Sequence, residues 1–185
     1  MHDLDRPYQF ETYQNIVESR QNYIVVEAPT GSGKSAYAAQ CGNDGHRTMA
    51  LVRTKSLQEQ YSRSYDFKVV KGKGSYECLY NFVPTCDMCR LDEKEDKDKC
   101  KMSCPYPNAV HALMGSNLAS LNYTKFLTEL RPNGLVESYC PRILFLDEAH
   151  QLSDIVIEWS GCTIPWNDYQ SQYIEPEEIV PDLPQ

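Results

Sequence analysis

The sequence predicts an α/β fold: a parallel sheet flanked by helices, interrupted by a small cysteine-rich insert. Three observations predict it. Short β-branched or apolar runs alternate with helical patterns along the chain. One such run, Ile24 to Val26, feeds a small-residue loop, Ala28-Pro29-Thr30-Gly31-Ser32-Gly33-Lys34-Ser35, that opens a helix. Another, Ile143-Leu144-Phe145-Leu146, is continuously apolar, as a strand buried on both faces should be, and ends in two carboxylates.

Taken in order, Asp5-Arg6-Pro7 opens a helix, with Asp5 as N-cap and Pro7 in the first turn. Tyr13, Ile16 and Val17 give that helix a buried face. A strand at Ile24 to Val26 precedes the loop, and the helix begun at Lys34 ends near Gly42, before the turn residues Asn43-Asp44-Gly45. Thr48 to Val52 reads as a strand. Arg53-Thr54-Lys55-Ser56 then leads into a helix through Leu57, Gln60 and Tyr61, and Phe67 to Val70 forms a further strand. From Lys71 to Cys104 the periodicity stops, and Asp92 to Lys101 alternates acids with lysines as an exposed loop or short helix does. Order resumes with a helix at Ala109 to Met114, a strand at Ser116 to Leu121, a helix at Tyr123 to Leu130 and a turn at Arg131-Pro132-Asn133-Gly134. After Ile143 to Leu146 a helix runs to about Trp159. The expected domains are a nucleotide-binding unit over residues 1–70 and 105–160, an insert over 71–104, and an acidic, proline-containing tail over 161–185.

The loop carries the first chemistry. Backbone N–H groups of Gly31 to Lys34 point inward at phosphate oxygens, and the helix N-terminus favours an anion. Lys34 reaches the β- and γ-phosphates of ATP, and the Ser35 hydroxyl ligates Mg²⁺. The general pattern begins with Gly where this chain has Ala28, which fits provided φ stays negative there. Asp147 and Glu148 supply the second half of the site. Asp147 holds Mg²⁺ through water, and Glu148 orients and deprotonates the water that attacks the γ-phosphate. His150 is close enough to couple them to neighbouring strands. Upstream, Arg6 and Gln9 suit a nucleotide base, because an amide both donates and accepts along the edge of adenine.

At 185 residues the chain suits one domain with an insert. No apolar run approaches the roughly 20 residues of a membrane span, and Met1 to Arg6 lacks the features of a signal peptide. A cytoplasmic, reducing setting follows, without a membrane partner. The eight cysteines then read as metal ligands or free thiols. Cys78, Cys86, Cys89, Cys100 and Cys104 crowd one insert, five candidates for the four positions of a zinc or iron–sulfur site. Cys41, Cys140 and Cys162 stand apart as free, partly buried thiols. The net charge of −8 argues against a nucleic-acid partner, but its distribution does not. Ile143 to Gln185 holds nine acids and no Lys or Arg, so the rest of the chain sums to +1. Arg47, Arg53, Lys55, Arg63, Lys68, Lys71 and Lys73 face only Glu59 and Asp66 in one stretch, an excess suited to phosphates.

The order of these motifs resembles the XPD/DinG family of iron–sulfur superfamily 2 DNA helicases. The matching pieces are Arg6-Pro7-Tyr8-Gln9, Ala28 to Ser35, Arg53-Thr54-Lys55-Ser56-Leu57-Gln58-Glu59-Gln60, Lys71 to Cys78 leading into the insert, Cys104-Pro105-Tyr106 closing it, Asn122-Tyr123, and the DEAH box Asp147-Glu148-Ala149-His150. They span roughly Arg6 to Leu152. The resemblance implies a RecA-like ATP-binding domain and a [4Fe–4S] cluster rather than zinc. Its ligands are Cys78, Cys86, Cys89 and Cys104, with Cys100 able to replace one of the middle pair. It further implies 5′–3′ movement on single-stranded or forked DNA, with Thr54, Lys55 and Asn122-Tyr123 facing the strand. Members of that family continue into an arch domain and a second RecA-like lobe, for which the residues after His150 are too few and too acidic. The expectation is a chain that binds ATP and single-stranded DNA, hydrolyses slowly alone, and needs a second lobe or a larger complex. The competing expectation is an ATP-dependent, metal-stapled binding module that never turns over.

Overall fold

The computed structural model describes residues 7–29, 31–79, 83–89 and 104–161. Helix α1 spans Pro7–Glu18. It docks through Gln9, Tyr13 and Ile16, spaced as one helical face. Val17 falls beside that stripe and is exposed, contrary to expectation. Helix α2 covers Lys34–Asn43 and packs Tyr37, Ala38, Ala39 and Cys41 inward.

Strand β1, Thr48–Val52, is buried at every position. It is central because it pairs on both sides. Strand β3, Leu118–Asn122, lies on one side and β4, Ile143–Leu146, on the other, both parallel to it. The two-residue strand β2, Lys68–Val69, pairs with β3, giving the order β2-β3-β1-β4. This all-parallel, helix-flanked sheet is the α/β architecture that the alternating pattern predicts.

Alternation along the strands sorts the core into two faces. Met49, Leu51, Ala119 and Leu121 pack against α4 (Pro105–Met114), α5 (Tyr123–Glu129) and α6 (Leu135–Tyr139). Ala50, Val52 and Leu118 pack against α2 and α3, the latter spanning Lys55–Tyr65. Gln58 of α3 is fully buried, and its Nε2 donates to the carbonyls of Val70 and Ser120 at 3.4 and 3.3 Å, stitching the helix to the strand edges. Helix α7, Leu152–Ser160, closes the described chain.

Two expectations are corrected, and one helix lies where none was expected. Ile24 to Val26 forms no strand. Tyr23 is 91% and Val25 95% exposed, and only Val26 touches the cluster holding Ile143 and Phe145. A β-branched run becomes a strand only when it finds a ladder, and no ladder joins this segment to β4 among the described residues. Strand β4 is accordingly an edge strand, not one buried on both faces. Leu144 and Leu146 are 43% and 36% exposed, because the helices over the β1–β3 face do not reach across it. Helix α6 was not anticipated, although Leu135, Val136 and Tyr139 have helical spacing and are all buried.

Within the insert, single 3-10 turns at Lys73–Ser75 and Cys86–Met88 flank an antiparallel bridge between Glu77 and Thr85. Tyr76 packs edge-on against Tyr106 of α4 at 5.6 Å. The Asp92 to Lys101 stretch, the Asp5 cap and the 161–185 tail beyond Gly161 lie outside the described residues.

One buried ion pair holds the α5–α6 corner. Lys125 Nζ bonds to Glu129, whose other oxygen accepts from the Leu135 amide at 3.1 Å. Burial pushes the Glu129 carboxyl up, but the Lys125 ammonium and the Leu135 amide outweigh it and leave it below its usual range. A carboxyl depressed in the folded state contributes stability above its unfolded value of about 4.3, lost as pH falls toward the folded value. Glu129→Ala leaves a buried ammonium unpaired and should cost about 3–5 kcal/mol in denaturant unfolding. Combining Lys125→Met with Glu129→Leu should recover only part of that loss, since the apolar pair removes the buried charge but leaves the Leu135 amide without its acceptor.

Candidate nucleotide site

The Ala28 to Ser35 loop leaves Val26 and enters α2 through two left-handed glycines. Gly31 has φ 79° and Gly33 φ 88°. Ala28 is not among the positive-φ residues, so its Cβ is tolerated where the general pattern has Gly. A Cβ at Gly33 would also lie 2.2 Å from Gln9 Nε2, so a side chain there displaces the Gln9 amide. That nitrogen donates to the Ser32 carbonyl at 2.7 Å. Gln9 therefore braces the phosphate loop from α1, a role the adenine-edge reading did not foresee. Arg6 and Thr30 lie outside the described residues.

Lys34 Nζ lies 2.8 Å from the Ala28 carbonyl and 3.3 Å from that of Pro29. The ammonium thus spans the mouth of its own loop. Among the described residues the buried Ser32 hydroxyl has no partner, a state that costs about 1–3 kcal/mol. An orphan hydroxyl beside an inward-turned glycine loop fits a ligand that brings oxygen acceptors.

Asp147 stands at the carboxyl end of β4, where its N–H continues the ladder to the Leu51 carbonyl at 3.0 Å. Two tyrosines hold it. Tyr61 of α3 donates its hydroxyl to Oδ2 at 3.1 Å, and Tyr123 of α5 donates to the backbone carbonyl at 2.7 Å. Ser35 lies close enough to act on the same Tyr61 hydroxyl. The first helical turn after the phosphate loop and the carboxylate after β4 thus converge on one phenol. Burial, then the Asp147 charge, raises both phenols, Tyr123 to about 12, so each stays protonated and donates. Tyr123 is 1% exposed, so it does not face a nucleic-acid strand as expected. Its role went unread because a tyrosine after a strand carries no mark of its hydrogen-bond partner.

Glu148 follows in the left-handed region at φ 55°. Its Oε2 lies 3.4 Å from His150 Nδ1; His150 Nε2 meets Gln151 at 3.2 Å; and Gln151 Oε1 accepts from Arg53 at 2.7 Å. His150 thus links Glu148 to the carboxyl end of β1, as its position suggested, through Gln151, which the sequence did not single out. Thr54 and Asn122 are spent as helix caps, accepting from the Leu57 and Lys125 amides. Much of the basic excess is also committed: Arg47 to the Met114 carbonyl, Arg63 and Lys71 to Glu59, and Lys68 to Asp66. Lys55 and Arg53 remain exposed at the carboxyl end of β1.

In the insert, Cys86 Sγ and Cys104 Sγ approach to 3.4 Å, and Cys78 is close enough to act on Cys86 electrostatically. Thiolates sharing one zinc at about 2.3 Å sit about 3.8 Å apart in tetrahedral geometry, so this contact is closer than a shared metal sets. Burial, followed by Cys104, pushes the Cys86 thiol up to about 11. Among the described residues no group of three or more His, Cys, Asp or Glu side chains is arranged to hold a metal ion. Cys89 is half-buried, and Cys100 lies outside the described residues. Of the cysteines set apart, Cys41 is buried but Cys140 is exposed. No helix among the described residues is long and apolar enough to cross a membrane.

A family model described as the type III restriction enzyme, res subunit (ResIII), matches residues 4–172. The chain belongs to this family. Membership makes it a superfamily 2 helicase-type domain, an ATP-dependent lobe of RecA-like architecture. It does not single out the XPD/DinG branch or an iron–sulfur centre. No curated protein and no solved structure matches the chain.

Gly33→Ala combines a left-handed φ with a collision against Gln9. It should distort the loop and weaken binding of a fluorescent ATP analogue at least tenfold, whereas Gly31→Ala, whose Cβ meets nothing within 4 Å, should cost less.

Proposed function

We propose that this chain is the ATP-binding lobe of a DNA helicase of the XPD/DinG type, taking Mg²⁺–ATP at Ala28 to Ser35 and single-stranded or forked DNA across the carboxyl ends of β1 and β3. One observation carries this reading: Tyr61 donates to Asp147 at 3.1 Å while Ser35, from a distant part of the chain, lies close enough to act on the same hydroxyl. In this mechanism Lys34 leaves the Ala28 and Pro29 carbonyls for the β- and γ-phosphate oxygens. The loop N–H groups of Gly31 to Lys34 and the Ser32 hydroxyl add donors to the same oxygens. Mg²⁺, when bound, draws charge from the phosphates, and Ser35 and Asp147 are the side chains that would hold it. Glu148 orients the attacking water and takes its proton, while His150 fixes the carboxylate. Arg6 borders the base, and Gln9 braces the phosphate loop. A second RecA-like lobe, on this or another polypeptide, supplies the cations that complete charge neutralisation, and 5′–3′ polarity follows from the resemblance.

The alternative is an ATP-dependent binding module without unwinding activity. It is favoured by the commitment of Arg47, Arg63, Lys68 and Lys71 to intramolecular partners, which leaves few cations for a strand. Hydrolysis measured with and without single-stranded DNA separates the two. The helicase reading expects slow turnover that DNA accelerates, and Glu148→Gln should lower kcat by about 10²-fold or more with ATP binding retained. Tight ATP binding with no turnover, even when a RecA-like second lobe is supplied, selects the module.

The [4Fe–4S] cluster on Cys78, Cys86, Cys89 and Cys104, with Cys100 as substitute and zinc as the other occupant, is proposed on the resemblance and the crowding of thiols. No step above runs through it. Anaerobically purified protein should be brown, with about four irons per chain. Colourless protein containing zinc, or no metal, removes the iron–sulfur assignment and leaves the ATP site untouched.

A further inference from the structure

Tyr61 is 2% exposed, and its ring is fully used in packing: edge-on to Phe67 at 5.1 Å and to Tyr65 at 6.4 Å. A phenylalanine would fill that space equally well. The hydroxyl is the unexplained part, because a buried phenol must find partners that justify its desolvation. Its hydrogen-bond partner is Asp147, at 3.1 Å, and Ser35 lies close enough to act on it; these are the two side chains that the proposed function assigns to Mg²⁺.

We propose that Tyr61 is a positioning residue of the Mg²⁺–nucleotide site: its O–H donates to Asp147 Oδ2 while its oxygen accepts the Ser35 proton, fixing both ligands before the ion arrives. The inference rests on the reading of this site as one for Mg²⁺–ATP. The chemistry follows from the inventory of lone pairs. A serine hydroxyl can offer an oxygen lone pair to a cation only when its proton points elsewhere, and the Tyr61 oxygen receives it. A carboxylate with one oxygen held by a phenol keeps its other oxygen free for the ion or its water shell. Mg²⁺ demands near-ideal octahedral geometry, so preset ligands matter more for it than for a larger cation. The phenol also sits on α3, whose cap residue Thr54 and exposed Lys55 lie at the carboxyl end of β1. One rigid helix therefore joins the metal ligands to the sheet end where ligands of open α/β sheets bind.

The test titrates a fluorescent ADP analogue into the full chain, once with Mg²⁺ and once with EDTA. Tyr61→Phe should leave the thermal midpoint and the EDTA affinity near wild type. The gain in affinity that Mg²⁺ brings should shrink about tenfold, the scale of one lost charge-assisted hydrogen bond. A merely structural tyrosine would change stability, or both affinities together, and either result overturns the proposal, as does a full Mg²⁺ gain in the variant. Should the variant fail to fold, 3-fluorotyrosine at position 61 replaces it. Its ¹⁹F resonance should shift with Mg²⁺–ADP and not with ADP in EDTA, and an unmoved resonance overturns the proposal. Wild-type protein that binds no nucleotide in either condition defeats the Mg²⁺–ATP reading itself, and so is distinguishable from failure of the Tyr61 role alone.

Discussion

The hydrogen bond from the Asp147 amide to the Leu51 carbonyl places the carboxyl ends of β4 and β1 at the same level. The candidate site depends on it. Because β1 is buried at all five positions and paired on both sides, it cannot slide without breaking two ladders and inverting which side chains face the core. Register then determines chemistry. Arg53 and Thr54 leave β1 where Asp147 leaves β4, and Asn122 ends β3 opposite Val52. Three strand-to-helix turns are brought to one rim, the place where open α/β sheets receive ligands.

The phosphate loop, by contrast, is held by side chains rather than by a strand. With Ile24 to Val26 outside the sheet, the loop leans on Gln9 from α1 and on the Lys34 ammonium folded over its own carbonyls. An ion–dipole contact of this kind is readily exchanged for phosphate, since two carbonyls are weaker partners for an ammonium than a polyanion is. The unpartnered Ser32 hydroxyl points the same way. The loop is closed upon itself in a manner that an anionic ligand relieves.

What could be read from sequence were the features that depend on neighbours along the chain. The glycine pair and the strands Thr48–Val52 and Ile143–Leu146 are set by local geometry and appear where they were expected. What escaped depends on partners distant in sequence. Ile24 to Val26 has the composition of a strand but no ladder, and β4 has the composition of a central strand but one open side. Gln9 has an amide suited to adenine and uses it on Ser32; Tyr123 has a position suited to nucleic acid and uses its hydroxyl on Asp147. The cysteines show the same limit from the other side. Crowding in the sequence announces a site, yet two thiols at 3.4 Å describe a contact, and ligation is a property of four directions at once.

Glu148 bears on whether such a site turns over. A non-glycine residue in the left-handed region costs on the order of 1 kcal/mol, and such strain persists where its surroundings over-determine it. Here the surroundings are identifiable. The Glu148 carbonyl accepts from the Gln151 amide at 3.0 Å, its carboxylate meets His150, and Gln151 reaches Arg53. The contact with His150 is largely exposed and contributes little by itself, so orientation, not stability, is what the relay provides. A module that only binds ATP needs Ser35, Asp147 and the loop; it has no use for a second carboxylate turned aside from the first and tethered to the end of β1. The strained backbone at Glu148 and the relay behind it therefore favour hydrolysis over binding alone.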